Sequence, residues 1–201
     1  SPNLGIFMSI VTFNGVRLSS ADSNSGWGNF NASGPSPAAE PQLKYQGANA
    51  VNKKVTSTNS RSGVRYTHGS VIDMTSATNP LWICKMKVGD AGDLNSSYGC
   101  EAAIGSGTSA YYSYNLSGSG ANNDQFTKGY SSQGGLAEGY IIAAINPNVP
   151  QWREGASGNP SLTGVDFFGV AAQFVTGGAK SENVACDAID LGAGLDYAGA
   201  A

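Results

Sequence analysis

Charge is scarce in this chain. Asp, Glu, Lys and Arg supply 12% of its 201 residues, and there is one histidine, His68. That removes most of the side chains that carry general acid–base chemistry. Net charge is −3, and Lys53-Lys54 is the one adjacent basic pair. A nucleic-acid surface needs clustered Lys and Arg, so that class of partner is set aside. Cysteine is also sparse, with Cys84, Cys100 and Cys186 making an odd count without a Cys-x-x-Cys spacing. This disfavours both a zinc site and a disulfide scaffold. Three reduced, buried thiols are expected, with one bridge plus a free thiol as the alternative. No run approaches the ~18–20 apolar residues of a membrane span. The apolar run at residues 6–11 has neither a basic flank nor a small-residue cleavage site, so it reads as a strand rather than a leader.

What the chain does have is glycine, 28 residues of it, among abundant Ser, Asn and Thr. Short runs rich in β-branched and aromatic residues between such turns predict an all-β fold. The length suits one domain. The expected architecture is a single antiparallel β-sandwich of the jelly-roll or concanavalin A-like kind, with about ten to twelve strands. Residues 1–20 read as an N-terminal arm, folded as a hairpin at Asn14-Gly15 because both residues tolerate positive φ. Residues 21–201 read as the sandwich body.

Along that body, residues 20–42 read as a loop, because Pro35, Pro37 and Pro41 forbid a central strand. Trp27 and Phe30 are expected to pin it down. Strands are expected at residues 48–56, 64–67 and 71–74. Residues 81–88 show the clearest alternation, with Trp82, Cys84, Met86 and Val88 on one face. Strands at 100–104 and 110–116 are joined by Gly105-Ser106-Gly107-Thr108. The apolar runs at 139–146, 165–175 and 183–191 predict strands covered on both faces. At most one short helix or helical turn is expected, near residues 164–168.

Several stretches taken in order resemble concanavalin A-like β-sandwich domains of tailed-phage virion proteins, of head-decoration or fibre type. They are Trp27-Gly28-Asn29-Phe30, residues 45–51 with Lys53-Lys54-Val55, Tyr66-Thr67-His68-Gly69, and Ile104-Gly105-Ser106-Gly107-Thr108 with Tyr111-Tyr112. Gly139-Tyr140-Ile141-Ile142, residues 165–169 and Asp187-Ala188-Ile189-Asp190 complete the pattern. The resemblance implies a structural or adhesive role on a virion surface, in a protein made in the host cytoplasm. It also implies self-association, expected as a trimer, with a major capsid protein or tail protein as partner. The arm at residues 1–20 is expected to dock by adding to a sheet edge.

Candidate chemistry is thin. His68 lacks an adjacent nucleophile motif and reads as a turn histidine bonded to backbone. Asp187 and Asp190, three apart, fall on opposite faces of a regular strand, unlike the paired carboxylates of a glycoside hydrolase. They read as solvated groups. Asp90, Asp93 and Asn95 form a glycine-loop calcium candidate, although Asp in such turns more often bonds its own backbone. No other cofactor is expected. Trp152, Tyr111 and Trp27 are candidates for stacking on a host-surface glycan, since a flat apolar face with a polar edge suits a sugar ring. Trp82 reads as core. Three functions follow: a non-enzymatic virion structural protein, a carbohydrate-binding module, or, against the composition, a polysaccharide-degrading enzyme.

Overall fold

The computed structural model describes residues 11–56, 60–76, 81–89, 93–95, 98–107, 109–117, 140–175 and 182–197, with the backbone alone described at 11–14, 117 and 193–197. It is an antiparallel β-sandwich of a seven-stranded and a six-stranded sheet. Thirteen strands occur among the described residues.

The seven-stranded sheet is organised around β6 (Leu81–Val88). One edge of β6 pairs with β9 (Tyr140–Ile145). Its other edge is shared by β12 (Glu182–Cys186), beside Met86, and β13 (Ile189–Tyr197), beside Trp82. These two are halves of one run, broken at Asp187-Ala188 where Ala188 takes φ 51. The far edge of β12 carries β4 (Ala50–Val55) and then β3 (Ala38–Glu40). The far edge of β13 carries β1 (Val11–Ser19). In the six-stranded sheet the order is β10 (Gly155–Ser157), β8 (Ala110–Ser117), β7 (Cys100–Ser106), β11 (Val165–Ala172), β5 (Ser62–Ile72) and β2 (Trp27–Phe30).

Alternation along each strand builds the core. Trp82, Cys84 and Met86 of β6 face Cys100, Ala102 and Ile104 of β7 and Phe168 and Val170 of β11 in one buried cluster. The rings of Trp82 and Phe168 meet edge-on, 5.4 Å between centroids. The three cysteines are buried thiols, none in a disulfide. Burial pushes the Cys84 and Cys186 thiols above their ordinary range, so they stay protonated and act as small apolar groups.

Several expectations need correction. Asn14-Gly15 makes no hairpin, because β1 runs through it as one strand along β13, with a register shift between Phe13 and Gly15. A Cβ at Gly15 would lie 1.7 Å from the Leu191 carbonyl oxygen, so glycine permits a bulge against a long partner edge. The stretch 20–42 contains two edge strands, β2 and β3, and the prolines sit between and after them. Residues 64–67 and 71–72 are parts of the single strand β5, which ends at Ile72, so the expected strand at 71–74 is cut short. No helical turn forms at 164–168, which enters β11 directly.

Asp187 and Asp190 are not solvated; they are 0% and 4% exposed. The break at Ala188 removes the regular alternation that predicted opposite exposed faces. Lys85, on the outer face of β6 and fully buried, places Nζ 2.6 Å from Asp190 Oδ2. Arg17 of β1 donates to both Asp190 oxygens, at 2.7 and 3.0 Å. Burial alone would push the Asp190 carboxyl up, but the bonds from Arg17 and Lys85 outweigh it and hold the group below the usual carboxylate range. Asp187 Oδ2 accepts the backbone N–H groups of Tyr45 and Gln46, at 2.6 and 2.8 Å. With the Tyr140 hydroxyl donating to the Leu43 carbonyl, these bonds seat residues 43–46 on the outer face of the sheet.

Two outcomes follow. A Cβ at Gly63 would stand 1.8 Å from the Val170 carbonyl oxygen, so Gly63→Ala is expected to lower urea-unfolding stability by about 1–3 kcal/mol. Asp190→Ala removes the carboxylate that bonds the buried Lys85 ammonium and the Arg17 guanidinium and is expected to cost about 3–5 kcal/mol. A depressed carboxyl pKa stabilises the fold above the unfolded value of ~3.9 and loses that contribution as pH falls through the folded value. Acid unfolding of Asp190→Ala is therefore expected to be shallower below pH ~4 than that of the parent; an equally steep acid limb would contradict the assignment.

Candidate functional site

Pairing between β3 and β4 stops at Asn52, opposite Ala38, whereas β4 continues to Val55. The loop at residues 31–37 spans the gap. Asn24 Nδ2 donates to the Pro37 carbonyl at 3.3 Å and Asn29 Nδ2 to the Gly34 carbonyl at 3.2 Å. Gly34 turns the chain at φ 84, in the left-handed region. Lys53 Nζ donates to the carbonyls of Ser33 and Pro35, at 3.0 and 2.5 Å, fastening the loop across the sheet margin.

Beneath this loop lies a cavity of about 580 Å³. That volume falls within the range that holds small ligands. Ser33, Gly34, Pro35 and Ser36 form one wall, and Lys53, Lys54, Val55 and Thr56 another. Ala38 and Glu40 of β3 close one side, and Ser62 of β5 reaches in from the opposite sheet. The lining alternates hydroxyls, ammonium groups and small apolar surfaces. It contains one carboxylate, Glu40, whose Oε1 accepts the Gln42 N–H at 3.3 Å. Burial pushes the Lys53 ammonium below its ordinary pKa.

The outer face of the six-stranded sheet is built differently. Glycine and alanine at Gly63, Ala103, Gly105, Gly169 and Ala171 leave space that Phe30 and Phe167 fill from above. Phe167 carbon atoms lie over Gly105, and Phe30 lies over Gly169. Tyr111 meets both rings edge-on, at 5.2 and 5.9 Å. Phe30 and Phe167 are 3% and 0% exposed, so their faces are closed to a stacking sugar. Beside them, Glu101 and Asn115 pair across the β7–β8 ladder, and Arg61 bonds Glu101 at 2.8 Å. Burial raises the Glu101 carboxyl pKa, with Arg61 opposing.

The sequence-derived aromatic candidates are dispersed. Trp27 lies in the core edge of β2, its indole N–H donating to Ser19 Oγ at 3.2 Å and its ring against Tyr66. Tyr111 is half-buried on the outer face, its hydroxyl accepting from Asn31 Nδ2 at 3.4 Å. Trp152 ends a 3-10 turn, Pro150–Trp152, and packs on the core cluster. None of the three lines the cavity. His68 is a strand residue whose Nδ1 lies 3.3 Å from the Tyr66 hydroxyl, so its partner is a side chain rather than a turn backbone.

Of the calcium candidates, Asp90 lies outside the described residues. Asn95 Oδ1 accepts the Tyr98 N–H at 3.2 Å, and the Asp93 carbonyl accepts from Val175 at 2.7 Å, so both serve the loop that bridges to Phe174. No group of three His, Cys, Asp or Glu suited to a metal occurs among the described residues. The residue that sequence reasoning passed over is Lys53. Its signal is parity: Val51, Lys53 and Val55 share the inward face of β4, so one ammonium stands on an apolar stripe.

No protein-family model matches the chain. No curated protein sequence matches it. Among solved structures, it is similar to a family 11 carbohydrate-binding module from Clostridium thermocellum in complex with a β-1,3-1,4-mixed-linked tetrasaccharide. That likeness has 14% identity and a TM-score of 0.50, covering 87% of this chain and 93% of the module. A family 11 module of a cellulosomal cellulase of Clostridium thermocellum is similar at 12% identity and TM-score 0.50, covering 94% and 99%. A β-1,2-glucanase from Parabacteroides distasonis overlaps at 13% identity and TM-score 0.48, covering 91% of this chain and 25% of the glucanase. At these identities the two modules show the fold, an antiparallel jelly-roll β-sandwich.

Proposed function

We propose that this chain is a non-catalytic glycan-binding module whose site is the cavity between the 31–37 loop and β4. The observation that carries the reading is the lining itself. Hydroxyls of Ser33, Ser36, Thr56 and Ser62 alternate with the small apolar surfaces of Ala38 and Val55, a match for a sugar's hydroxyls and C–H faces. Glycoside hydrolysis needs two carboxyl groups flanking the bond, and this wall offers one. The likeness to carbohydrate-binding modules supports the same reading through shared architecture.

The low charged fraction, 12%, favours a second reading in which such a module rides on a phage particle as a decoration or fibre protein. Self-association and a capsid or tail partner belong to that reading, and it rests on the sequence resemblance. The two are compatible, since adhesion to a host glycan is useful on a particle surface.

A glycan array followed by calorimetry tests the main reading. Ala38→Trp fills the cavity from an exposed edge strand and is expected to weaken glycan binding at least about tenfold, near 1.4 kcal/mol. Tyr111→Ala is expected to leave it unchanged. The reverse pattern would move the site to the outer face of the six-stranded sheet, and an empty array would refute the reading.

A further inference from the structure

Lys53 is a cation removed from water where the described residues supply no anion. It is 4% exposed, and its two hydrogen-bond partners are neutral carbonyls. None of the ion pairs among the described residues includes it. Lys85 gives the internal contrast, fully buried but matched by Asp190 at 2.6 Å. Burial of a charge is costly unless it is paired, and an ammonium has three N–H donors of which the carbonyls take two. Lys53 lines the cavity, and the exposed Lys54, next along β4, adds a second positive charge to its lining residues. Glu40 is the one carboxylate among the lining residues. The lining is therefore net positive, and its least hydrated cation lacks a counter-ion among the described residues.

We propose that the cavity takes a carboxylate-bearing sugar, its carboxylate against Lys53 Nζ and its ring hydroxyls on the serine and threonine side chains. This rests on the glycan-binding reading of the same cavity and narrows it to acidic glycans. The carboxylate supplies the missing charge to the buried ammonium, and a charge-assisted bond of this kind is stronger than a neutral one. Neutral sugars are then the weaker ligands.

Calorimetric titration of the full chain with glucuronate, glucose and acetate at low ionic strength tests the proposal. Glucuronate is expected to bind at least about tenfold more tightly than either glucose or acetate. Lys53→Met is expected to erase the preference over glucose. Because that variant also releases the 31–37 loop, Glu40→Gln provides an independent check. It removes the opposing charge while keeping an acceptor for Gln42, and it is expected to tighten glucuronate but not glucose; a purely structural Lys53 predicts no such change. Equal binding of glucuronate and glucose would overturn the acidic preference and leave the glycan reading standing. Acetate matching glucuronate would overturn the sugar requirement. Binding of array glycans without any response to glucuronate would overturn this inference alone, and silence in both assays would remove both.

Discussion

The rings of Trp82 and Phe168 meet in the layer where the two sheets face each other, among side chains that are almost wholly removed from water. That dry layer fixes the parity of every strand. A one-residue slip would carry a whole apolar set to the outside. It also sets the problem solved at the margins, where the sheets diverge and side chains with inward parity no longer meet a partner sheet. At β4 that inward position is occupied by Lys53. Its ammonium turns to the carbonyls of a covering loop, and the space under the loop is the cavity.

The two buried lysines show how context decides the meaning of a charge. Lys85 sits in the middle of the seven-stranded sheet, where Asp190 and Arg17 complete a compact ion cluster. That cluster ties β1, β13 and β6 together and has no vacancy for a ligand among its described bonds. Lys53 stands at an edge, bonded to neutral oxygens and open to a cavity. Similar burial therefore yields a structural fastening in one place and a recognition group in the other.

Much of the fold was legible in the chain. β6 could be read to the residue from the alternation of Trp82, Cys84, Met86 and Val88, because a half-buried strand leaves a period of two. The hairpin joining β7 and β8 was legible from its glycine loop. Asn14-Gly15 misled because the preference of that dipeptide for turns is local, whereas the long edge of β13 is a tertiary partner. β2 and β3 were hidden among prolines because edge strands tolerate sequences that central strands exclude. The break at Asp187-Ala188 left no mark in an apolar run, and only the positive φ of a non-glycine residue reveals it. The cavity was illegible for a different reason. Lys53-Lys54 looks like a solvated basic pair, and the loop that covers Lys53 comes from residues twenty positions earlier. Side-chain chemistry alone nominates Trp27, Tyr111 and Trp152, and the fold directs them to three separate surroundings.

A crystal of the chain soaked with an acidic oligosaccharide shows directly where a sugar sits. Ordered sugar density is expected between the 31–37 loop and β4, with a carboxylate within hydrogen-bond distance of Lys53 Nζ. Density confined to the outer face of the six-stranded sheet, or an empty cavity beside a ligand shown to bind in solution, would contradict it.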